Sequence, residues 1–409
     1  MSVNSWNIQT LRDIATINYG RSPSEILSSE GSYPVVGTGG IDRLGTDFIY
    51  DGDSIILGRK GTIDRVYFTT GKFWVIDTAY YLSEFLEAYP RWLFYFLQTI
   101  DLRRMNEATG VPSLSRDALY KIKVQTPSLE EQEKIAAILS TIDLTITQTE
   151  AIIAKQQRIK TGLMQDLLTK GIDENGNIRS EETHEFKDSP LGRIPVEWEV
   201  APVSKYGSKY RSYLRTGPFG TDLNSKHWVE YGIPVLTIGC LGEGEVIESE
   251  LLHISDLKAK NMKGFSVDSG DIVFSRVADI GRSLVIQPQQ KGWIISSNLM
   301  RLSLDIEAVE PVFLYRNIAF NSSVHDQLRI SCNSGGRDLV NGQILASILF
   351  PFPSQQEQIR INGILDHFDT NLSGLNKELT KLSNQKTGLM QDLLTGKVRV
   401  TEQLKDIDR

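Results

Sequence analysis

The stretch at positions 160–169 reads KTGLMQDLLT, and the same ten residues return unchanged at positions 386–395. The offset of 226 residues between the copies also superimposes a second set of identical residues. It places Pro127, Ser128, Glu131, Gln132 and Ile135 on their equivalents at 353, 354, 357, 358 and 361. A repeat of this length and accuracy indicates that the chain contains two copies of one structural unit.

The repeated part of each copy has the pattern of a long helix. Its apolar residues recur at alternating spacings of three and four, which is typical of a coiled-coil seam. Proline and serine precede each predicted start, and Gly171 and Gly396 follow each predicted end. We therefore predict one helix in 127–170 and another in 353–396, each ~60 Å long at ~1.5 Å per residue.

An apolar stripe left exposed on either helix would promote aggregation, so we expect the two stripes to bury each other. An antiparallel pair suits the chain order, because it brings the end of the first helix beside the start of the second. The result is a pseudo-twofold arrangement. The expected interface residues are Ile135, Ile142, Ile146, Ile153, Leu163, Ile361, Phe368, Leu375, Leu379 and Leu389.

The segments outside the helices differ in kind from the repeat. Positions 1–126 and 196–352 contain short runs of Val, Ile and Tyr separated by glycine-rich turns, which predicts globular α/β domains. Positions 171–195 are polar and turn-rich and are predicted to form a linker, and 397–409 form a C-terminal tail. The predicted fold class is α+β, with two globular domains separated by two long antiparallel coiled-coil helices and an internal repeat.

Composition narrows the class of protein. The net charge is −7, but positions 1–126 carry 13 basic and 14 acidic residues, so the first globular segment is nearly neutral. No leader pattern or long apolar run occurs, which predicts a cytoplasmic protein without a membrane span. Cys240 and Cys332 are expected to be buried thiols, and the five scattered histidines do not suggest a metal site.

Several stretches, taken in order, resemble the specificity subunits of type I restriction-modification systems. They are YGRSPSE (19–25), YPVVGTGG (33–40), SPLGRIPVEWEV (189–200), TGPFGTDL (216–223), GIPVLTIG (232–239), and the two helix starts and ends described above. The resemblance implies that the globular segments are target-recognition domains for a bipartite, asymmetric site in double-stranded DNA. It also implies partners: two methyltransferase (modification) subunits and the restriction (translocase and nuclease) subunits.

Base recognition in the major groove uses arginine with guanine and asparagine or glutamine with adenine, while lysine, serine and threonine commonly contact phosphate. On this basis the first domain has six candidate DNA-binding residues: Arg21, Ser22, Thr38, Arg59, Lys60 and Arg65. In the second domain, Arg215 and Thr216 are taken as the counterparts of Arg21 and Ser22. The stretch GDSIILGR (52–59) matches GDIVFSR (270–276), which makes Arg276 the counterpart of Arg59, with Arg282 following it. Asn333 and Arg337 are the remaining candidates there.

The same segments show no catalytic signature. The glycine-rich turns lack the spacing of a P-loop or a dinucleotide fingerprint, and no methyltransferase motif of the Asn-Pro-Pro-Tyr type occurs. We therefore expect no catalytic residues, no cofactor and no metal. Three alternatives remain open: a self-contained nuclease or methyltransferase, a coiled-coil scaffold that does not bind DNA, and the specificity subunit of a related system whose partner combines methylation and cleavage.

Overall fold

The computed structural model describes residues 6–242, 244–277, 282–332 and 340–400. The chain divides into two compact units. Unit 1 comprises Met1–Ile152 with Leu375–Arg409, and unit 2 comprises Ile153–Gly374. Each unit contains a globular part and a portion of both long helices. Among the residues described, none of the helices combines the length and the apolar character that crossing a membrane requires.

The first long helix is Leu129–Thr169 and the second long helix is Gln355–Leu394. Both begin in the same way, because the hydroxyl of Ser128 accepts from the Glu131 N–H and that of Ser354 from the Glu357 N–H. Both are followed by a glycine with a left-handed backbone, Gly171 at φ +65° and Gly396 at φ +73°. The two predicted helices are therefore present. Each begins two residues after the proline that marks its predicted start, Pro127 or Pro353.

The two long helices run antiparallel within each unit. In unit 1, Glu131 binds Arg399, just beyond the end of the second long helix, and Asp143 binds Lys386. Positions further along the first helix therefore pair with positions earlier in the second. In unit 2, Lys160 binds Asp369. Residues of both helices share one apolar cluster in each unit, with Ile135, Leu139 and Leu393 in unit 1 and Leu167, Ile361 and Leu365 in unit 2.

The proposed interface residues are all removed from solvent to some degree. Ile135 and Ile361 are fully buried. The other eight are half-buried: Ile142, Ile146, Ile153, Leu163, Phe368, Leu375, Leu379 and Leu389.

The globular part of unit 1 contains two four-stranded sheets. The order of the first, which is antiparallel, is Thr16–Tyr19, Ala79–Ser83, Ser54–Gly58, Val66–Thr69. The second has the order Gly40–Gly45, Tyr33–Gly37, Lys72–Val75, Tyr50–Asp51, with its middle pair parallel. Asn7–Thr10 pairs with Lys123–Thr126 at the base of the long helices. The helical segments are Leu11–Ile14, Pro90–Gln98, Leu102–Met105 and Arg116–Tyr120.

Unit 2 repeats this plan. Its first sheet has the order Leu214–Thr216, Leu299–Leu302, Ile272–Ser275, Ser283–Val285. Its second has the order Trp228–Val229, Leu252–Ile254, Ile233–Leu236, Ile294–Ile295, again with one parallel pair. Glu199–Pro202 pairs with Leu349–Phe352. The helical segments are Val203–Tyr206, Ser225–His227, Glu248–Glu250, Asp256–Asn261, Lys263–Phe265, Pro288–Gln290, Pro311–Phe320, Ser322–Cys332 and Gly342–Ser347.

The segment 171–195 is more ordered than the predicted linker. Phe186–Ser189 and Gly192–Pro195 form a hairpin. Ile172 and Ile194 are buried in the same cluster as Trp198. Because most of the segment is polar, these few apolar residues give no visible pattern in the sequence. Their burial makes the segment a structural part of unit 2.

A buried carboxylate secures the start of each long helix. Glu131 accepts two hydrogen bonds from Arg399, at 2.7 and 2.8 Å, and one from the Trp6 indole at 3.3 Å. In unit 2, Glu357 accepts from Arg179 and from the Trp198 indole. The repeated glutamate is therefore a fixed structural anchor, since its charge is buried and fully paired.

Candidate nucleic-acid interface

Arg59 and Lys60 follow directly on the central strand Ser54–Gly58 of unit 1. Their N–H groups both donate to the Thr78 carbonyl, at 2.9 and 3.1 Å. The N–H of Arg21 donates to the Val75 carbonyl at 2.8 Å. Because Val75 and Thr78 are three residues apart, their carbonyls bring the backbones of Arg21, Arg59 and Lys60 to the same edge of the sheet.

Tyr19 lies between two guanidinium groups in the same region. The Arg59 Cζ is 5.2 Å and the Arg116 Cζ 5.0 Å from the centre of the Tyr19 ring. The ring is 45% exposed and packs edge-on against Tyr80. Burial, with a smaller contribution from Tyr19, raises the pKa of Tyr80 to about 12 although both arginines oppose the shift. The arrangement places two cations beside one aromatic ring.

Neither arginine has a carboxylate within 4 Å among the residues that the structure describes. Arg59 donates instead to the Asp77 carbonyl at 3.0 Å, and the buried Arg116 Nε meets no acceptor in the described part of the chain. Positive charge that the protein leaves uncompensated is suited to an anionic ligand.

The other candidates of unit 1 border this region or lie apart from it. Lys60 forms a β-bridge with Ser113, which brings the loop before Arg116 alongside. The Ser22 hydroxyl contacts that of Ser24, and Thr38 lies in the turn between Tyr33–Gly37 and Gly40–Gly45. Arg65 is exposed and lies apart from these residues, beside a cavity of unit 1 that is also lined by Asp143 and Lys386.

Arg276 in unit 2 is the structural equivalent of Arg59. It follows the central strand Ile272–Ser275, and its N–H donates to the Asn298 carbonyl at 3.1 Å. Its own carbonyl accepts from the Val340 N–H at 2.9 Å, as the Arg59 carbonyl accepts from Leu114 at 3.0 Å. The predicted equivalence of these two arginines thus agrees with their backbone contacts. The Arg276 Nε is also buried and meets no acceptor among the described residues.

The equivalence predicted for Arg215 and Thr216 is wrong. The Gly20 N–H donates to Ala79 O at 3.0 Å, and the Gly217 N–H donates to Leu299 O at 2.9 Å. A Cβ at either glycine would come within about 2 Å of a carbonyl oxygen. Gly217 therefore corresponds to Gly20, which places Thr216 at the position of Tyr19. The adjacent basic residues favour the other alignment, but the close backbone approach at the glycine decides which residues correspond.

Arg215 has a different environment from the unit 1 candidates. Its guanidinium lies 4.6 Å from the centre of the Phe265 ring, and it pairs in the sheet with Arg301. Arg301 is buried beside Asp271, with an N–O separation of 3.8 Å. Burial lowers the pKa of Arg301 to about 10, with Arg211 next in effect, and burial raises the pKa of Asp271. This cluster stabilises the interior of unit 2, and Arg215 is its exposed edge.

The remaining candidates are less closely defined. Arg282 is half-buried, and its carbonyl accepts from the Ser275 N–H at 2.8 Å. Asn333 and Arg337 lie outside the described residues.

Cys240 is a buried thiol without a disulfide partner, as predicted. In the portion of the chain that the structure covers, no group of three His, Cys, Asp or Glu residues could hold a metal ion.

Sequence reasoning missed Tyr19 and Arg116. Tyr19 directly precedes Gly20, where the two backbones approach closely. A glycine that requires such an approach is a signal from which Tyr19 could have been predicted. Arg116 lies 97 residues further along the chain. Its position at the first turn of Arg116–Tyr120 is fixed by the Ser115 cap, which accepts from the Ala118 N–H at 3.2 Å. Nothing in its sequence surroundings indicates contact with Tyr19.

The family model for the type I restriction modification DNA specificity domain matches residues 4–158 and 219–383. These two matches cover both copies of the repeat and most of the chain. The chain belongs to this family. The predicted family resemblance and the α+β fold class with two repeated domains are confirmed.

Individual relatives agree with this assignment. The MjaVIII type I restriction enzyme specificity subunit of Methanocaldococcus jannaschii is 24% identical over 97% of this chain and 93% of its own length. A putative MjaX specificity subunit of the same organism is 28% identical over 76% of this chain and 68% of its own.

Solved structures share the fold. The type I S subunit of M. genitalium superimposes with a TM-score of 0.62 at 15% identity, covering 96% of this chain and 97% of that one. The HsdS subunit of Thermoanaerobacter tengcongensis gives a TM-score of 0.50 at 16% identity, over 97% and 98% of the two chains.

Proposed function

We propose that this specificity-family chain reads a bipartite, asymmetric DNA sequence, with one globular domain for each half-site. The two recognition domains are 1–126 and 196–352. The observation that carries the proposal is the equivalence of Arg59 and Arg276, which directly follow the corresponding strand of the first sheet in each unit. Equivalent scaffolds whose surrounding side chains differ are suited to reading two different half-sites.

The differences between the units are specific. At the position of Tyr19 unit 2 has Thr216, and the offset of 226 places Gly342 at the position of Arg116. Unit 1 therefore presents an aromatic ring and a second guanidinium that unit 2 replaces with smaller groups. Such changes alter which bases and phosphates can be contacted. The target is accordingly asymmetric.

The long helices are proposed to set the spacer between the half-sites. A 41-residue helix spans ~60 Å at ~1.5 Å per residue, and half-sites one turn apart are separated by ~34 Å. Two antiparallel segments with repeated sequence also give two equivalent surfaces. We infer that these surfaces bind two methyltransferase subunits, that restriction subunits join the same assembly, and that the chain itself contributes no catalytic group.

The test is reconstitution with the methyltransferase subunits of its own system, followed by mapping of methylated bases and of DNA footprints. Arg59→Gln is expected to weaken protection of one half-site and Arg276→Gln that of the other, each by about 1–3 kcal/mol. Arg12→Gln is the matched control, because Arg12 also stacks on a tyrosine but is paired with Asp117.

Three results would refute the proposal. A complex that methylates DNA without sequence preference, or purified chain that methylates or cuts DNA alone, contradicts the function. Arginine variants that footprint like wild type on both half-sites contradict the choice of residues. If one partner polypeptide performs both methylation and cleavage, the chain serves the related type of system.

A further inference from the structure

Unit 1 contains an apolar groove at the end of the second long helix, which we call the Ile8 groove. Its volume is about 600 Å³. Ile8 is 67% exposed at its rim, although it is a large apolar residue. The residues that define the groove are Ile8, Phe96, Lys123, Met390, Gln391 and Leu394.

The second copy of KTGLMQDLLT supplies one wall of this groove, so the first copy shows what the same surface does in unit 2. There the helix Ser322–Cys332 covers it. Gln165, the equivalent of Gln391, donates to the Ser322 hydroxyl at 3.3 Å. Asn321, just before that helix, donates to the carbonyl of Leu168, the equivalent of Leu394, at 3.3 Å.

The opposite wall has the same relationship. Leu349 in unit 2 is the equivalent of Lys123, since they pair with the equivalent residues Pro202 and Thr10. The Gln327 side chain of the covering helix accepts from the Leu349 N–H and donates to the Leu349 carbonyl, both at 3.0 Å. Three contacts of the covering helix therefore map onto three residues of the Ile8 groove.

Unit 1 has no covering helix at this point in its described chain. After Pro90–Gln98 it continues with the short segment Leu102–Met105, whereas unit 2 continues after Pro311–Phe320 with Ser322–Cys332. Exposure changes accordingly. Met164 is buried and its copy Met390 only half-buried, while Pro351 is buried and its equivalent Gln125 is exposed. An apolar floor with a polar rim is typical of a protein interface.

We propose that the Ile8 groove binds an amphipathic helix from a partner protein, in the place that Ser322–Cys332 occupies in unit 2. The covering helix buries Val324 and Leu328 in the domain core beside Phe350, whose equivalent in unit 1, Val124, is already buried. The partner helix therefore presents its apolar side to Ile8, Phe96 and Met390 of the groove. A carboxamide corresponding to Gln327 binds the peptide groups of Lys123.

The charge of the rim defines the partner further. Leu349 is replaced by Lys123, an exposed cation with no carboxylate within 4 Å among the residues described. The partner helix therefore carries an aspartate or glutamate facing Lys123.

The inference rests on the proposed function in one respect, because it takes the partner from the subunits of the assembled complex. In the described parts of the two units, only unit 1 leaves this surface open, so this helix binds once per chain.

The test uses the full chain reconstituted with the modification and restriction subunits of its own system. A photo-reactive benzoylphenylalanine replaces Ile8 in one variant and Val111 in the control, since both residues are 67% exposed. Crosslinked peptides are identified by mass spectrometry. We expect the probe at position 8 to label one helical segment of a partner subunit, and the probe at 111 to leave that segment unlabelled.

Charge reversal gives the second measurement. Lys123→Glu is expected to lower the crosslinking yield at position 8 about tenfold, while Lys121→Glu, also at an exposed lysine, leaves it unchanged. Labelling of residues 401–409 of the same chain, labelling of a second copy of the chain, or no labelling would each overturn the proposal. Sequence-specific methylation by the same complex is measured in parallel, so that loss of the groove and failure of the proposed function are distinguished.

Discussion

Lys386 Nζ lies 2.7 Å from Asp143 Oδ1, and this pair joins the second long helix to the first. The repeat copies the pair as Lys160 with Asp369. Lys386 falls between Leu382 and Leu389 in the three-and-four spacing of the seam. A polar pair at a seam position can specify alignment, because a shifted register would leave its charges unpaired.

We predict that Lys386→Ala lowers the free energy of unfolding by about 1 kcal/mol, and that a double-mutant cycle with Asp143→Ala gives a coupling of about 0.5–1 kcal/mol. The two side chains are 24% and 33% exposed, so solvent screens part of the attraction. Urea denaturation measures both quantities. The control is the pair Lys134 and Glu130 within the first long helix, whose side chains are 30% and 74% exposed. An equal coupling there would refute a special role for the seam pair.

Arg399→Ala is predicted to destabilise unit 1 by about 3–5 kcal/mol, because it leaves the Glu131 carboxylate buried. Among the described residues, only the Trp6 indole then remains as a donor from outside its own helix. Adding Glu131→Gln should restore part of this loss by removing the buried charge. Thermal unfolding of the single and double variants tests the prediction. A double variant less stable than Arg399→Ala would contradict it.

The Arg59, Tyr19 and Arg116 cluster is predicted to contact phosphate as well as bases. Arg116→Gln should weaken DNA binding nearly equally for cognate and non-cognate sequences and reduce the salt slope by about 1. Fluorescence anisotropy of the reconstituted complex at several salt concentrations measures both. A change confined to cognate DNA, with the salt slope unaltered, would instead assign Arg116 to base recognition.

Tyr95 is predicted to make stability depend on alkaline pH. Burial raises its pKa to about 12, and its hydroxyl donates to Asp143 at 2.8 Å. Since the pKa is raised in the folded state, the stabilisation is complete below pH 10 and is lost as pH rises towards 12. Tyr95→Phe should therefore lose less stability between pH 9.5 and 11.5, by up to about 1.5–2 kcal/mol. Tyr210→Phe is the control, because Tyr210 is 95% exposed.

The helical part of the fold could be predicted from sequence because its signals are local or repeated. The identical decapeptides fixed the offset, and the offset aligned Pro127 with Pro353. By contrast, the anchors of segment 171–195 are single residues such as Ile172 and Ile194, scattered among polar neighbours. Their burial depends on Trp198, which no periodic pattern connects to them.

The candidate interface was predictable only where it follows a strand shared by both copies. The matching stretches GDSIILGR and GDIVFSR led to Arg59 and Arg276. Arg116 reaches Tyr19 through the packing of elements that are distant in sequence. The position of Arg215 was predicted wrongly because the equivalent point in the fold is set by Gly217, whose backbone approaches another strand closely, and not by a basic residue. Side-chain convergence of this kind is set by tertiary structure.

The division into units has a consequence for synthesis on the ribosome. Unit 2 is one uninterrupted stretch, Ile153–Gly374, so it can complete its contacts as soon as it has emerged. Unit 1 begins earlier but finishes later, because Leu393, Leu394 and Val400 belong to the cluster that buries Ile135 and Leu139. The half translated first is thus the last to close, and its apolar surface stays uncovered until residues 393–400 have been synthesised.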